Sequence, residues 1–436
     1  MQDLKETMKY PDIKKKVWIT VLILGLFMLL TLVPIPGAVH SQIREIAQGW
    51  GDTGILLNVL SAGGLYNGSV LSLGIYPYLI GSMVAQILII AVPSLRALAQ
   101  MGDAGTKKVG KISRIVSLVM GLILSVLLTL GLRSAVNPSI NFWFGIVIIC
   151  LSLTAASAVS VFLAELINSK GTGNGMTVLL TAVLIRNIYD LLKGLYTGAG
   201  SAFGIAGAIG FTVLAVVIAA ALIVFLVYVM LGERKISFLF SKRTIGMKQM
   251  QGQNSTIPIK ISQAGVIPVV YALTICSLPA IIVVFSATGA EDNFILHAFR
   301  YIGKSPLYLF MFLIFLVFFN AIFSIMQLNP MEISKELKAN GGYIPGVKPG
   351  MPTQIFLSKL YNNMNYAGNV LITVICVVPM ALSFIPGLEA LWYVGITLFV
   401  LAGGILECFQ VLDMSAQKIA EAEKPKKKLK TGKAMY

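Results

Sequence analysis

Ile55-Leu56-Leu57-Asn58-Val59-Leu60-Ser61-Ala62-Gly63-Gly64-Leu65-Tyr66-Asn67-Gly68-Ser69 is an apolar piece too short to cross a bilayer, broken by small residues. A full apolar span follows at once, from about Gly74 to Val92, with Pro77 inside it. A broken backbone beside a membrane span leaves N–H and C=O groups that hydrocarbon cannot satisfy. Such a segment must be enclosed by protein or face a water-filled cavity. On this stretch alone two readings stand, a piece of a pathway and an outer loop with a sticky turn.

Composition places the stretch in a membrane protein. The 436 residues are 57% hydrophobic and 12% charged, with a mean hydropathy of +0.84, against roughly 25% charged in soluble domains. Cys150, Cys276, Cys376 and Cys408 all lie in apolar stretches, which indicates packing rather than a disulfide framework or metal site. Leu4 to Lys16 is polar and no small-residue cleavage site follows the first apolar run, so no cleavable signal peptide is expected.

Ten runs are long enough to span: Val17–Val33, Gly74–Val92, Ile112–Leu132, Phe142–Ile167, Met176–Leu192, Ile205–Leu231, Gly265–Phe285, Leu307–Leu328, Gly368–Ile385 and Leu391–Leu412. With the N-terminus inside, only Arg44, Arg133, Arg186, Lys193, Arg300 and Lys304 fall outside, leaving 28 of the 34 Lys and Arg on the inner side. That asymmetry predicts both termini in the cytoplasm. It also places much of the +16 charge near anionic lipid rather than nucleic acid. Ten spans divide into halves of five, residues 17–192 and 205–412, joined by an outer connection at 193–204. An odd number per half inverts the second relative to the first, and inverted repeats create a site near the membrane midplane.

A 1–16 tail precedes the spans and a 413–436 tail follows them. The charge run Lys424-Pro425-Lys426-Lys427-Lys428 is expected to be disordered. Two inner loops, 232–263 and 329–367, are longer than a connection needs, which marks function or disorder. Apolar residues spaced among their charges, Ile236, Phe238, Phe240, Ile344 and Val347, favour ordered protrusions that dock a cytosolic partner. The alternative is a solvated basic face at the lipid surface.

Catalytic groups are missing. His40 and His297 both fall in outer segments, no paired-histidine motif exists, and no Gly-Lys-Ser/Thr phosphate loop occurs. An ion-coupled transporter keeps buried charges despite about 2.5–3.5 kcal/mol each on insertion scales. Here Glu165, Arg186, Asp190, Glu407 and Asp413 all lie towards span ends, with Glu407 deepest. Ser82 and Gln86 in the second span and Thr274 in the seventh are polar candidates for a cavity wall, and each equally suits helix packing.

Several motifs then line up in order. Val33-Pro34-Ile35-Pro36-Gly37 ends span 1, and Asn58 to Gly64 precedes Leu73-Gly74-Ile75-Tyr76-Pro77-Tyr78. Gly171-Thr172-Gly173-Asn174-Gly175 comes before span 5, and Gly232-Glu233-Arg234-Lys235 with Ser241-Lys242-Arg243 lies in the first long loop. Ile257-Pro258-Ile259-Lys260, Ala264-Gly265-Val266-Ile267-Pro268, Asn329-Pro330, Gly341-Gly342-Tyr343-Ile344-Pro345-Gly346 and Lys348-Pro349-Gly350 complete the series. Over nearly its whole length the chain resembles the SecY family, the large subunit of the bacterial protein-conducting channel.

The resemblance implies an all-α polytopic fold, ten transmembrane helices in two inverted five-helix halves around a central hourglass pore. By position, Ile75, Leu79, Met176, Leu180, Ile267, Val270 and Leu401 form its apolar ring. Ile55, Leu56, Leu57, Asn58, Val59, Leu60, Ser61, Ala62, Gly63, Gly64, Leu65 and Tyr66 form a plug beneath it. Spans 2 and 3 part from 7 and 8 as a lateral gate, where Ser82, Gln86 and Thr274 lie. Arg234, Lys235, Lys242, Arg243 and Lys348 dock the ribosome or the motor ATPase SecA. SecE and SecG are the implied small subunits, unfolded preproteins with signal sequences the substrate, and no cofactor or metal is implied. Three positions depart from the family pattern: Lys348 and Met28 stand where arginine is usual, and Thr106 replaces a basic residue. Lysine keeps charge without the bidentate fork, and the departures fit either a general channel of a divergent lineage or an accessory paralogue.

Overall fold

The computed structural model describes residues 10–50, 52–99, 103–240, 243–245, 248–250, 254–261, 265–286, 305–327, 330–339, 341–385, 391–392 and 394–432. The chain divides into two compact units. The first comprises Met1–Gly194, Leu273–Tyr308 and Gly404–Tyr436, and the second Leu195–Ala272 and Leu309–Gly403.

Helix α1, Pro11–Leu30, starts on a proline, whose missing N–H is unused in a first turn. Two short helices follow, α2 (His40–Gly49) and α3 (Asp52–Leu60). Then come α4 (Tyr76–Ala91), α5 (Pro93–Ala99), α6 (Asp103–Gly131) and α7 (Phe142–Lys170). Pro77, inside the predicted second span, falls in the first turn of α4 and therefore breaks no helical bond. Asn141 caps α7 by accepting from the Trp143 N–H at 3.3 Å.

Helix α8 runs from Gly175 to Leu231, interrupted at Gly204, whose φ of +71° and ψ of 179° are non-helical. The expected connection at 193–204 is thus itself largely helical. Beyond it lie strands β1 (Glu233–Phe240), β2 (Arg243–Ile245), β3 (Lys248–Met250) and β4 (Asn254–Lys260). Helices α9 (Ile267–Ser286), α10 (Pro306–Gln327) and α11 (Pro330–Ala339) precede β5 (Gly342–Tyr343). Helices α12 (Met351–Leu382) and α13 (Val394–Gly432) close the chain.

Among the described residues, seven helical stretches are long and apolar enough to cross a membrane: Lys107–Gly131, Phe142–Lys170, Gly175–Gly194, Thr212–Leu231, Pro306–Ser324, Met351–Leu382 and Val394–Ala416. Tyr76–Ala91 and Ile267–Pro279 are apolar but shorter, and α1 carries Lys14, Lys15 and Lys16 near its start. Each of the ten predicted runs has one of these helices. Large apolar side chains such as Trp143, Phe144, Val224 and Tyr228 remain exposed, as surfaces facing lipid do.

Small residues let the helices of the first unit approach closely, since lipid gives no hydrophobic drive between them. A Cβ on Gly81 of α4 would collide with Ser117 of α6, and one on Gly121 of α6 would lie 2.6 Å from Ser157 Oγ of α7. Arg114 of α6 pairs with Glu165 of α7.

In the second unit the two long inner loops build one small body. β1 pairs antiparallel with β4, Ile236 opposite Ile257, and β5 adds to its other edge. Ile236 and Phe238 of β1, Ile259, Leu337 of α11, Ile344, and Leu357 and Tyr361 of α12 share a buried core, with Val347 packed against it. The ordered protrusion expected from Ile236, Phe238, Ile344 and Val347 is a three-stranded sheet seated on two helices. The side chain of Phe240 lies outside the described residues.

The charge run at Lys424–Lys428 differs from expectation: α13 continues through it to Gly432. Ala, Glu and Lys around Ala420–Lys424 are strong helix formers and extend a helix already nucleated in the apolar part.

Candidate functional site

The segment 55–66 consists of most of α3 and a turn that is almost entirely enclosed: Ser61, Ala62 and Leu65 are 0% exposed. Beyond the helix, the turn bonds its backbone without regular structure. The Gly63 N–H donates to Asn58 O at 2.8 Å, Ser69 N–H to Gly64 O at 2.9 Å and Gly74 N–H to Leu71 O at 2.8 Å. Side chains complete the knot, with Tyr66 N–H donating to Asn58 Oδ1 at 3.0 Å and Leu65 N–H to Ser61 Oγ at 3.1 Å. The broken backbone therefore sits inside protein, as the cost of unpaired groups demands. Ile35 N–H to Gly68 O and Val70 N–H to Val33 O, both 2.9 Å, tie it to the end of span 1.

Among the positions expected in the ring, Ile75 caps α4 and Leu79 lies in its first turn, while Met176 and Leu180 open α8. All four are at most 3% exposed and belong to the first unit. Ser82 Oγ, 3.4 Å from Met176 Sδ and 2.9 Å from Leu79 O, brings the two helix starts together. Ile267 and Val270 open α9 in the second unit, and Leu401 lies on α13. There a Cβ on Gly403 would collide with Val266, so α13 lies against the start of α9.

The polar candidates resolve unequally. Gln86 is half-buried on α4, and Thr274 of α9 is 1% exposed. The residue that reaches Thr274 was not singled out from the sequence: Tyr76, fully buried, donates to Thr274 O at 3.2 Å and meets Ser277 Oγ at 2.9 Å. Ser277 Oγ in turn donates to Thr274 O at 2.8 Å. This joins α4 to α9 within the first unit. The signal lay in Tyr76 of Leu73-Gly74-Ile75-Tyr76-Pro77-Tyr78, a polar handle in an apolar run that needs a partner when buried.

Glu407, the deepest carboxylate of the sequence, accepts from Thr177 Oγ1 at 2.8 Å and so links α13 to α8. Arg234 and Lys235 are exposed on β1, where Lys235 pairs with Glu233 at 3.2 Å. Lys348 is exposed after β5, its carbonyl accepting from Thr353 Oγ1 at 2.9 Å. One sheet-and-helix body thus carries all three. Lys242 lies outside the described residues, and of Arg243 only the place in β2 is described.

A family model described as SecY matches residues 69–409. The chain belongs to the SecY family. The protein translocase subunit SecY of Streptomyces coelicolor is 30% identical over 432 residues, covering 94% of this chain and 96% of that one. The SecY subunit of Halalkalibacterium halodurans is 28% identical over 412 residues, 92% and 94% of the two chains.

Solved structures share the fold. One described as a protein-conducting channel aligns with a TM-score of 0.60 at 14% identity over 92% of both chains. A SecY structure, whose plug domain is described as stabilising the closed channel, gives 0.62 at 17% identity over 92% and 91%. Sec61 from a canine ribosome–channel complex gives 0.57 at 15%, over 92% and 91%. The SecY family is one of multi-pass membrane channel subunits, not enzymes, and the matches support a channel rather than the ion-coupled transporter weighed from the sequence.

Proposed function

We propose that this chain is the central subunit of a protein-conducting channel. It moves unfolded secretory polypeptides across the cytoplasmic membrane and releases apolar segments of membrane proteins sideways into lipid. The family match over residues 69–409 carries the reading, and the enclosed, self-bonded segment 55–66 beside α4 and α8 supports it. Ile75, Leu79, Met176, Leu180, Ile267, Val270 and Leu401 act as the pore ring. A narrow apolar ring dewets, blocks ions at rest and grips a passing chain without binding it.

The segment 55–66 is the plug, and it leaves its seat when a signal sequence parts spans 2 and 3 from spans 7 and 8. Ser82, Gln86 and Thr274 line that seam. The basic platform of Arg234, Lys235, Lys242, Arg243 and Lys348 receives a ribosome or the SecA motor, which supplies the energy the channel cannot generate. A structural relative is itself described in a ribosome complex. A SecE-type subunit clamps the halves from the back, and a SecG-type subunit is the third member. Both termini face the cytoplasm, as the lysine and arginine distribution favours, and the inner face meets anionic lipid.

Protease protection tests this. Purified protein is reconstituted in vesicles with SecE- and SecG-type subunits, then given the motor, ATP and a secretory precursor. ATP-dependent protection of the full precursor is expected. Its absence, from folded protein with either a motor or ribosomes, overturns the reading.

A further inference from the structure

We propose that Arg186 and Asn187, adjacent on α8, form a latch that holds the segment 55–66 in its resting seat and sets how strong a signal sequence must be to open the channel. The inference rests on the channel reading above and assigns the plug a specific restraint.

Asn187 is 7% exposed, deep for an amide. Its Nδ2 donates to Val183 O one turn back at 2.8 Å and to Val59 O at 3.0 Å. Val59 lies in the last turn of α3, where carbonyls lack an i+4 partner in their own helix; its oxygen takes the Ala62 N–H of the following turn at 3.2 Å, and Asn187 fills its second acceptor position. The neighbouring guanidinium of Arg186 reaches the same place from outside. It lies against Gly63, in the turn just after α3, so closely that a Cβ there would collide with Nη1 and stand 2.9 Å from Cζ. Gly63 has φ +80°, so both backbone and space exclude a side chain. A cation at a helix C-terminus faces the negative end of the helix dipole. One neutral hydrogen bond and one charge–dipole contact, from successive residues of one span, thus grip the middle of the plug, where α3 ends and the turn begins.

The plug is otherwise bonded mainly to itself. Asn58 binds Tyr66 N–H, Ser61 Oγ donates to Asn58 O at 3.1 Å and receives Leu65 N–H, and Gly63 N–H closes on Asn58 O. Such a knot moves as a unit and keeps those bonds when displaced. Its contacts to α8 are lost on leaving, so they bias the closed state selectively.

The test uses the full chain with its small subunits, and two precursors: one with a strong signal, one weakened by a charge in its apolar core. Resting conductance in planar bilayers and ATP-driven protection are both read. Asn187→Leu is expected to raise resting open probability and weak-signal transport about fivefold. Strong-signal transport, which supplies its own opening energy, stays within about twofold of the native chain. Arg186→Gln gives about a two- to threefold rise, abolished by high salt in the comparison with native, while Arg186→Lys restores native stringency. Unchanged conductance and weak-signal transport in both Asn187→Leu and Arg186→Gln overturn the latch while leaving the channel reading intact. So does a fall in strong-signal transport with lowered thermal midpoint and no rise in conductance, which marks a structural role. If the native chain moves neither precursor, the channel reading fails and the latch with it.

Discussion

Tyr76→Phe removes one oxygen from the contact between α4 and α9 and keeps the ring that fills the space. The lost interaction is the hydroxyl's pairing with Ser277 Oγ at 2.9 Å and Thr274 O at 3.2 Å. Ser277 keeps Thr274 O as its acceptor at 2.8 Å, so the change leaves no buried donor stranded. The cost is therefore near the net value of one neutral hydrogen bond, about 1 kcal/mol, rather than the larger penalty of an orphaned group. If α4 and α9 separate when the channel opens, that energy is lost only from the closed state. The open-to-closed ratio then rises about fivefold. The assay is transport of a weak-signal precursor by Tyr76→Phe, Ser277→Ala and the double variant. The two single effects are expected not to add, because both remove the same contact. Weak-signal transport within twofold of native, accompanied by a lower thermal midpoint, would refute the reasoning. The contact would then hold the fold without reporting on opening.

Other residues test other parts of the molecule. Ile259→Ala, at 1% exposure in the core shared by both inner loops, should cost about 2–5 kcal/mol. Limited trypsin digestion would show faster cleavage in that platform, and unchanged cleavage would sink the shared core. Both polar side-chain atoms of Asn320 in α10 are buried with no hydrogen-bond partner among the described residues, so Asn320→Leu should gain about 1–3 kcal/mol, read as a higher thermal midpoint in detergent. Arg234→Glu with Lys235→Glu should reduce motor-driven transport and leave thermal stability nearly unchanged, since the exposed pair with Glu233 at 3.2 Å is worth at most about 1 kcal/mol. Equal transport would move the docking site elsewhere. Glu407→Gln keeps an oxygen to accept from Thr177, so precursor transport should stay within about twofold; its abolition would make the carboxylate's charge essential.

What could be read from the sequence and what could not divides along a physical line. Apolar runs and charge asymmetry report which segments leave water, a local property that each stretch settles by itself. For that reason the ten spans, and the need to enclose the segment after Ile55, were legible. The apolar spacing of Ile236 and Phe238 marked an ordered protrusion without showing that it is a strand, because the pairing of Ile236 with Ile257 depends on a partner beyond a turn. Polar partners inside the membrane are a different kind of information. Tyr76 and Ser277 stand 201 positions apart, and Asn187 reaches Val59 across 128. In hydrocarbon a polar group without a partner is costly, but hydrophobic periodicity does not say which partner it finds. Arg186 makes the point most directly. Counted by charge it is one of six outer cations; counted by place it lies on the glycine turn that ends α3. Its neighbour Asn187 bonds the last turn of that helix. The membrane thus fixes where helices go by composition, and leaves the few polar contacts between them free to set how firmly the resting arrangement is held.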